Sequence, residues 1–167
     1  ENIVNDAAAY SYRKNTGGEW GSTNDTAIST ALQDEEWDII VIQQESAYSG
    51  KPDSFTHLDD ILTYLEENKP SEDTKIWWNM TWAYQGNSTH SGFANYGNDQ
   101  MTMYNAIVDA VQTKILGSGH FSKVIPSGTA VQNMRTSFVG DKLTRDGYHM
   151  SYDKGRYLTA LCYAKAL

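Results

Sequence analysis

Cysteine is almost missing from this sequence: Cys162 is the single thiol among 167 residues. No disulfide can form within the chain, so oxidative stapling is excluded as a source of its stability. Cys162 lies among apolar residues near the C-terminus and is expected to be a buried, inert thiol. Basic residues are scarce as well, 13 against 21 acidic ones, and the formal net charge is -8. That sign is wrong for a phosphate backbone or an anionic lipid surface, so neither nucleic acid nor membrane is an expected partner. No apolar run approaches the roughly 20 residues that cross a bilayer, and no membrane insertion is expected. The four histidines, His57, His90, His120 and His149, stand far apart with no paired-ligand spacing, which argues against a metal centre. Gly17 and Gly18 do not open a Walker or dinucleotide pattern, so no nucleotide cofactor is expected either.

What the sequence does have is aromatic and neutral polar residues. Eleven Tyr and five Trp, with many Asn, Gly, Ser and Thr, suit stacking on and hydrogen bonding to neutral polar ligands such as sugars, although most of the aromatics individually are expected in the core. The length fits one domain over 1–167 with a real core. A short strand is expected at 8–12, where Tyr10 and Tyr12 alternate with Ser11, and residues 16–18 turn the chain. A helix follows at 26–35. Residues 38–42, Asp-Ile-Ile-Val-Ile, form the continuous β-branched run that parallel sheets bury on both faces.

Phe55, Leu58, Ile61, Leu62 and Leu65 make a helical stripe that stops before Pro70, with His57 on its exposed side. Strands at 75–80 and 123–126, helices at 99–116 and 129–135, and a last helix capped by Ser151 complete the pattern. Gly155, Leu158, Leu161 and Cys162 are expected to face the sheet. Alternating strands and helices without a linker or repeat define an α/β fold with a mainly parallel sheet.

The stretch 143–151, Leu-Thr-Arg-Asp-Gly-Tyr-His-Met-Ser, is built for chemistry. A loop can bring Asp146 against one imidazole nitrogen of His149, which fixes the tautomer and leaves the other nitrogen free to accept a proton. In an α/β sheet the loops after the strands converge on one edge. Gln43, Gln44 and Ser46 after one strand, and Trp82 and Tyr84 after the next, should therefore gather near this pair as oxyanion donors or substrate contacts. The loop from 81 to about 98 is long enough to be functional, and His90 within it is expected to be solvated. A nucleophile is harder to find: there is no Gly-x-Ser-x-Gly elbow, and Ser46 is the best serine available.

Asp146-Gly147-Tyr148-His149, followed by Ser151 and Gly155-Arg156-Tyr157-Leu158, resembles the last block of the SGNH (GDSL-like) hydrolases, which supplies their general base. Residues 37–46, then Thr81-Trp82-Ala83-Tyr84, then 125–130 are similar in order to a bacterial branch of that superfamily. The resemblance implies a three-layer α/β/α sandwich of flavodoxin-like kind and esterase activity, often removal of acetyl groups from carbohydrates. It casts His149 as base and Asp146 as its orienter, and puts Gln43 or Gln44 where family members carry an oxyanion Asn. By the same resemblance the protein is expected to be secreted or periplasmic.

The family's first strand, with its Gly-Asn/Asp-Ser nucleophile turn, has no counterpart here. Since that strand lies inside the family's sheet, the resemblance implies a nucleophilic serine outside these residues, and a sheet completed by an N-terminal segment or a second chain. Direct pairing of 8–12 with 38–42 would instead make Ser46 the nucleophile to test. A non-catalytic carbohydrate-binding domain of SGNH-like form is the alternative.

Overall fold

The computed structural model describes residues 2–167. Its five strands form two sheets: an antiparallel pair, β1 (Tyr10–Thr16) with β2 (Glu19–Thr26), and a three-stranded parallel sheet in the order β3 (Ile39–Ile42), β4 (Lys75–Asn79), β5 (Lys123–Ile125). Five α-helices alternate with them: α1 (Ile28–Leu32), α2 (Leu58–Asn68), α3 (Gln100–Ala110), α4 (Ser127–Arg135) and α5 (Lys154–Ala166). The fold class is α/β, as expected. β1 is not part of the parallel sheet, so it does not pair with β3. Instead, β3 is an edge strand, and all four of its residues are only half-buried.

The chain divides into two compact units, Glu1–Ile40 with Thr56–Lys75, and Val41–Phe55 with Ile76–Leu167. The first unit carries the hairpin, whose two-residue loop, Gly17–Gly18, has φ of +62° and +95°. A type I′ turn requires positive φ at both positions, and it matches the twist of the flanking strands. Asn15 Oδ1 accepts the backbone N–H of Gly18 and secures the turn. The strand expected at 8–12 instead starts at Tyr10 and runs to Thr16. β2 escaped the pattern because seven of its eight residues are exposed, leaving no alternation to read. Within this unit, Asp6 accepts from Ser29 N, Ser29 Oγ and Tyr64 Oη, and Lys14 bridges Asp34 and Glu35. Leu32, Leu62, Tyr64 and Leu65 are its buried side chains from α1 and α2. His57 is exposed, as expected.

The second unit holds the larger core. β4 contributes Ile76, Trp77 and Trp78, α3 contributes Met103, Ile107 and Ala110, and Ile125 and Val131 come from β5 and α4. Each of these aliphatic side chains larger than Ala110 contributes about 1.5–3 kcal/mol by leaving water. Asp99 caps α3 by accepting Thr102 N at 2.7 Å, and the helix continues through Val111–Leu116 with π winding. α4 starts at Ser127, two residues before the expected point, and its Gly128 lies against β4's exit: a Cβ there would meet the Thr81 carbonyl oxygen at 1.9 Å.

The last helix starts at Lys154, not at Ser151, although Ser151 Oγ still accepts the N–H of Gly155. Gly155 is buried and Leu158 and Cys162 are half-buried, but Leu161 is 48% exposed. Positions 158 and 162 lie close to the azimuth of 155 on a 3.6-residue helix, whereas 161 lies about 120° away. The expected face was one residue too wide. Cys162 is only half-buried, and that burial raises its thiol pKa.

Candidate active site

The loop 143–151 folds back on itself. Thr144 and Met150 form an isolated antiparallel bridge, Arg145 N donates to His149 O at 2.9 Å, and Ser151 N donates to Leu143 O at 2.8 Å. At its tip Gly147 has φ of +93°, which brings the chain round in a space where a Cβ would lie 2.9 Å from Ser88 Oγ. This turn allows Asp146 to serve both its own backbone and the imidazole. Asp146 Oδ1 accepts the N–H groups of Tyr148 and His149 at 3.2 and 2.8 Å. Its Oδ2 lies 2.6 Å from His149 Nδ1. Burial works to raise the pKa of Asp146, but the His149 side chain and the two backbone donors outweigh it and hold the carboxyl at about 2.

An ionised carboxylate can only accept, so Nδ1 of His149 carries a proton and, in the neutral ring, Nε2 presents its lone pair. Nε2 has no hydrogen-bond partner among the described residues, and the His149 side chain is half exposed. A fixed tautomer with an open Nε2 is the arrangement a general base needs.

Two further elements converge on this pair. The long loop after β4 is tied down at several points: Trp82 Nε1 donates to Tyr148 O at 2.7 Å, Gln85 N donates to Gly147 O at 2.8 Å, and Gly86 N donates to Asp141 Oδ2 at 2.8 Å. Asp141 is in turn paired with Arg135, whose side chain is 4% exposed and whose Nη2 donates to Ala83 O. An aromatic chain runs through the site, with ring centroids 4.9 Å apart for Tyr84–His90, 4.5 Å for His90–Tyr148 and 4.1 Å for Tyr148–His149. His90 Nδ1 accepts the backbone N–H of Gly92 at 3.0 Å, so neutral His90 keeps its proton on Nε2 as a donor. His90 is thus packed into the site rather than simply solvated.

The residues after β3 divide in their roles. Gln43 Oε1 accepts from Asn79 Nδ2 at 2.7 Å, and Asn79 Oδ1 accepts from the buried Ser127 hydroxyl. This relay fixes the Gln43 amide with its NH₂ unoccupied. Gln44, by contrast, is engaged at both ends, donating to Ser54 and accepting from Glu45 N, and it holds its own turn. Ser46 Oγ is 2.8 Å from Tyr84 Oη and 3.4 Å from Glu45 Oε1. It makes no bond to His149, and no side-chain hydroxyl among the described residues does.

Tyr84 is fully buried. Burial raises its pKa, nearby Glu45 and Tyr148 add to the effect, and the Ser46 hydroxyl works against it, so the phenol stays protonated. Tyr84, expected among the oxyanion donors or substrate contacts, has its ring inside and its hydroxyl bonded to Ser46. Trp82 packs on the cluster of Val131, Leu143 and Met150 and acts as a brace. Sequence reasoning passed over Tyr148, which it treated as spacer, and also Gln85, Asn87 and Arg145. Gln85, Asn87 and Arg145 line a polar pocket of about 290 Å³ with Asp146.

Among the described residues no group of three His, Cys, Asp or Glu side chains could hold a metal ion. No helix described is long and apolar enough to cross a membrane.

A comparison with curated proteins gives no match. Among solved structures the chain is similar to a crystal structure of a DUF4886 family protein from Bacteroides uniformis, with a TM-score of 0.91 and 45% identity. The alignment covers 99% of this chain and 64% of that one, so this chain spans less than two thirds of its relative's length. Residues 1–167 match the family described as "Domain of unknown function (DUF4886)", and with that extent of match the chain belongs to the DUF4886 family.

Proposed function

We propose that this protein is an ester hydrolase of SGNH type, built on a three-layer α/β/α sandwich, which removes small acyl groups, acetyl above all, from carbohydrate. His149 is the general base, Asp146 its orienter, and the nucleophile a serine hydroxyl not contained in the described residues. The observation that carries the reading is the 2.6 Å Asp146–His149 contact with Nε2 left open. In the reaction Nε2 accepts the serine proton as Oγ bonds to the ester carbonyl carbon. The carbonyl π electrons move to oxygen, and the proton passes to the leaving alcohol as the C–O bond breaks. Water then attacks the acyl-serine by the same route.

The free NH₂ of Gln43, and Nε2–H of His90, are the donors available for the oxyanion. The position of β3 at the sheet edge, apolar yet half-buried, fits a neighbouring strand that brings the nucleophile. Replacing His149 by Ala in the protein with its nucleophile-bearing segment should lower hydrolysis of p-nitrophenyl acetate by orders of magnitude. Near-normal turnover would overturn the proposal.

The absence of a hydroxyl bonded to His149 among the described residues favours one other reading, a carbohydrate-binding domain without turnover. Glycan binding with no hydrolysis in that longer protein would establish it.

A further inference from the structure

The polar pocket beside Asp146 is lined by an ordered chain of amides and one cation. Thr144 Oγ1 donates to Gln85 Oε1, and Gln85 Nε2 donates to Asn87 Oδ1 at 2.8 Å. The orientation of each amide follows from this chain of bonds and turns the Nδ2 of Asn87 free as a donor. Asp146 spends Oδ1 on two backbone N–H groups and Oδ2 on the imidazole. The donors left for a ligand are the Nδ2 of Asn87, the hydroxyl of Thr89 and the guanidinium of Arg145, and the guanidinium is the strongest of them.

Its charge points the same way. Arg145 has Asp146 at 3.7 Å through Nε and otherwise rests 4.8 Å over the ring of Tyr152. Arg156 lies 4.5 Å from the same ring and has no carboxylate within 4 Å among the described residues. Two guanidinium groups on one exposed tyrosine form a local positive patch in a chain of net charge -8. A planar guanidinium with free N–H groups matches a carboxylate in bidentate fashion. The Asp146 carboxylate on the pocket wall makes a doubly charged phosphate a poorer fit than a singly charged group.

We propose that this pocket is a subsite for a carboxylate on a hydroxyl-bearing ring, and that the preferred substrates are esters of acidic sugars rather than neutral ones. Arg145 grips the carboxylate, and Asn87 and Thr89 donate to its oxygens or to ring hydroxyls. The placement next to a reacting ester rests on the hydrolase reading. The binding preference does not.

The test is calorimetric titration of the protein with methyl β-glucuronide and with methyl β-glucoside, which differ only in the carboxylate. The glucuronide should bind at least tenfold more tightly, with an advantage that shrinks as salt is raised. Arg145→Gln should bring the two Kd values within about twofold, and Arg145→Lys, which keeps the charge but loses the fork, should retain part of the preference. Should Arg145→Gln prove unstable by melting, Asn87→Asp supplies a second variant, since the added carboxylate should weaken the glucuronide several-fold more than the glucoside. Equal affinity of the two probes for the unmodified protein would overturn the proposal, as would an undiminished preference in Arg145→Gln and Asn87→Asp. Titration of His149→Ala separates the two readings. A preference that persists there while ester hydrolysis is unaffected sinks the hydrolase and keeps the subsite, whereas lost hydrolysis without any preference does the reverse.

Discussion

The β1–β2 hairpin and the folded-back loop at 143–151 are both tight reversals of chain, yet they are stabilised in opposite ways. The hairpin rests on its own ladder and its Gly17–Gly18 turn, with Tyr12 and Lys14 of β1 reaching Asp34 and Glu35, and almost all of β2, including Trp20 at 73% exposure, faces solvent. The Asp146–His149 loop is held from outside by Trp82, Gln85 and, across the neighbouring loop, the Arg135–Asp141 pair. Exposed side chains on a self-sufficient turn can vary freely. A catalytic pair needs its geometry fixed to a fraction of an ångström, and cross-bracing supplies that.

The largest effect should come from Asp146→Asn. The amide keeps an acceptor for the two backbone N–H groups but sets an NH₂ against Nδ1, which drives the proton to Nε2 and removes the base. A fall of about 10⁴-fold in kcat/KM is expected from tautomer loss of this kind, measured in the protein with its nucleophile. Asp146 also gives a pH test. Its folded pKa lies below the unfolded value, so its contribution to stability is present above about pH 4 and is lost as pH falls through about 2. Carboxyl NMR shifts should show it ionised at pH 3, and an Asp146 signal titrating near pH 4 would contradict the bonding described.

Next in size is steric disruption of the braces. Gly128→Ala forces a Cβ onto the Thr81 carbonyl, which has no flexible neighbour to yield. Gly147→Ala combines positive φ with contact to Ser88. Each should cost about 1–3 kcal/mol in chemical denaturation, and only Gly147→Ala should also disturb the His149 ring signals. Tyr84→Phe removes the bond to Ser46 and should cost about 1 kcal/mol. At the bottom of the scale, Trp20→Ser on the hairpin should change stability by less than about 0.5 kcal/mol. A larger loss there would mean that the Trp20 ring itself packs on the fold.

The parallel strands were legible because residues 39–42, 76–78 and 124–125 are short apolar runs, β-branched or aromatic, that sheets take up. β2 was not, since a polar strand fixed by its turn leaves no periodic trace. Asp146 and His149 could be read because the bonds between them span three positions. The pocket could not: its lining depends on the contact of Thr144 with Gln85, 59 residues away, and no local pattern announces that Gln85 will have both ends of its amide engaged. Tyr84 illustrates the opposite error. A tyrosine in a polar loop reads as a ligand contact until the fold closes over it.

The Thr144–Met150 bridge has a consequence for the order of assembly. Closing a loop of about ten residues takes on the order of 10–100 ns, and the entropy lost grows only slowly with length. The imidazole and its carboxylate can therefore meet within a short stretch of chain while the protein is still largely unfolded. The bond from Trp82 to the Tyr148 carbonyl spans 66 residues and must wait for β4 and the helices around it to pack. A refolding protein regains its base first and the pocket that serves it later, so a pulse of hydrogen exchange should find the His149 amide protected before the indole of Trp82.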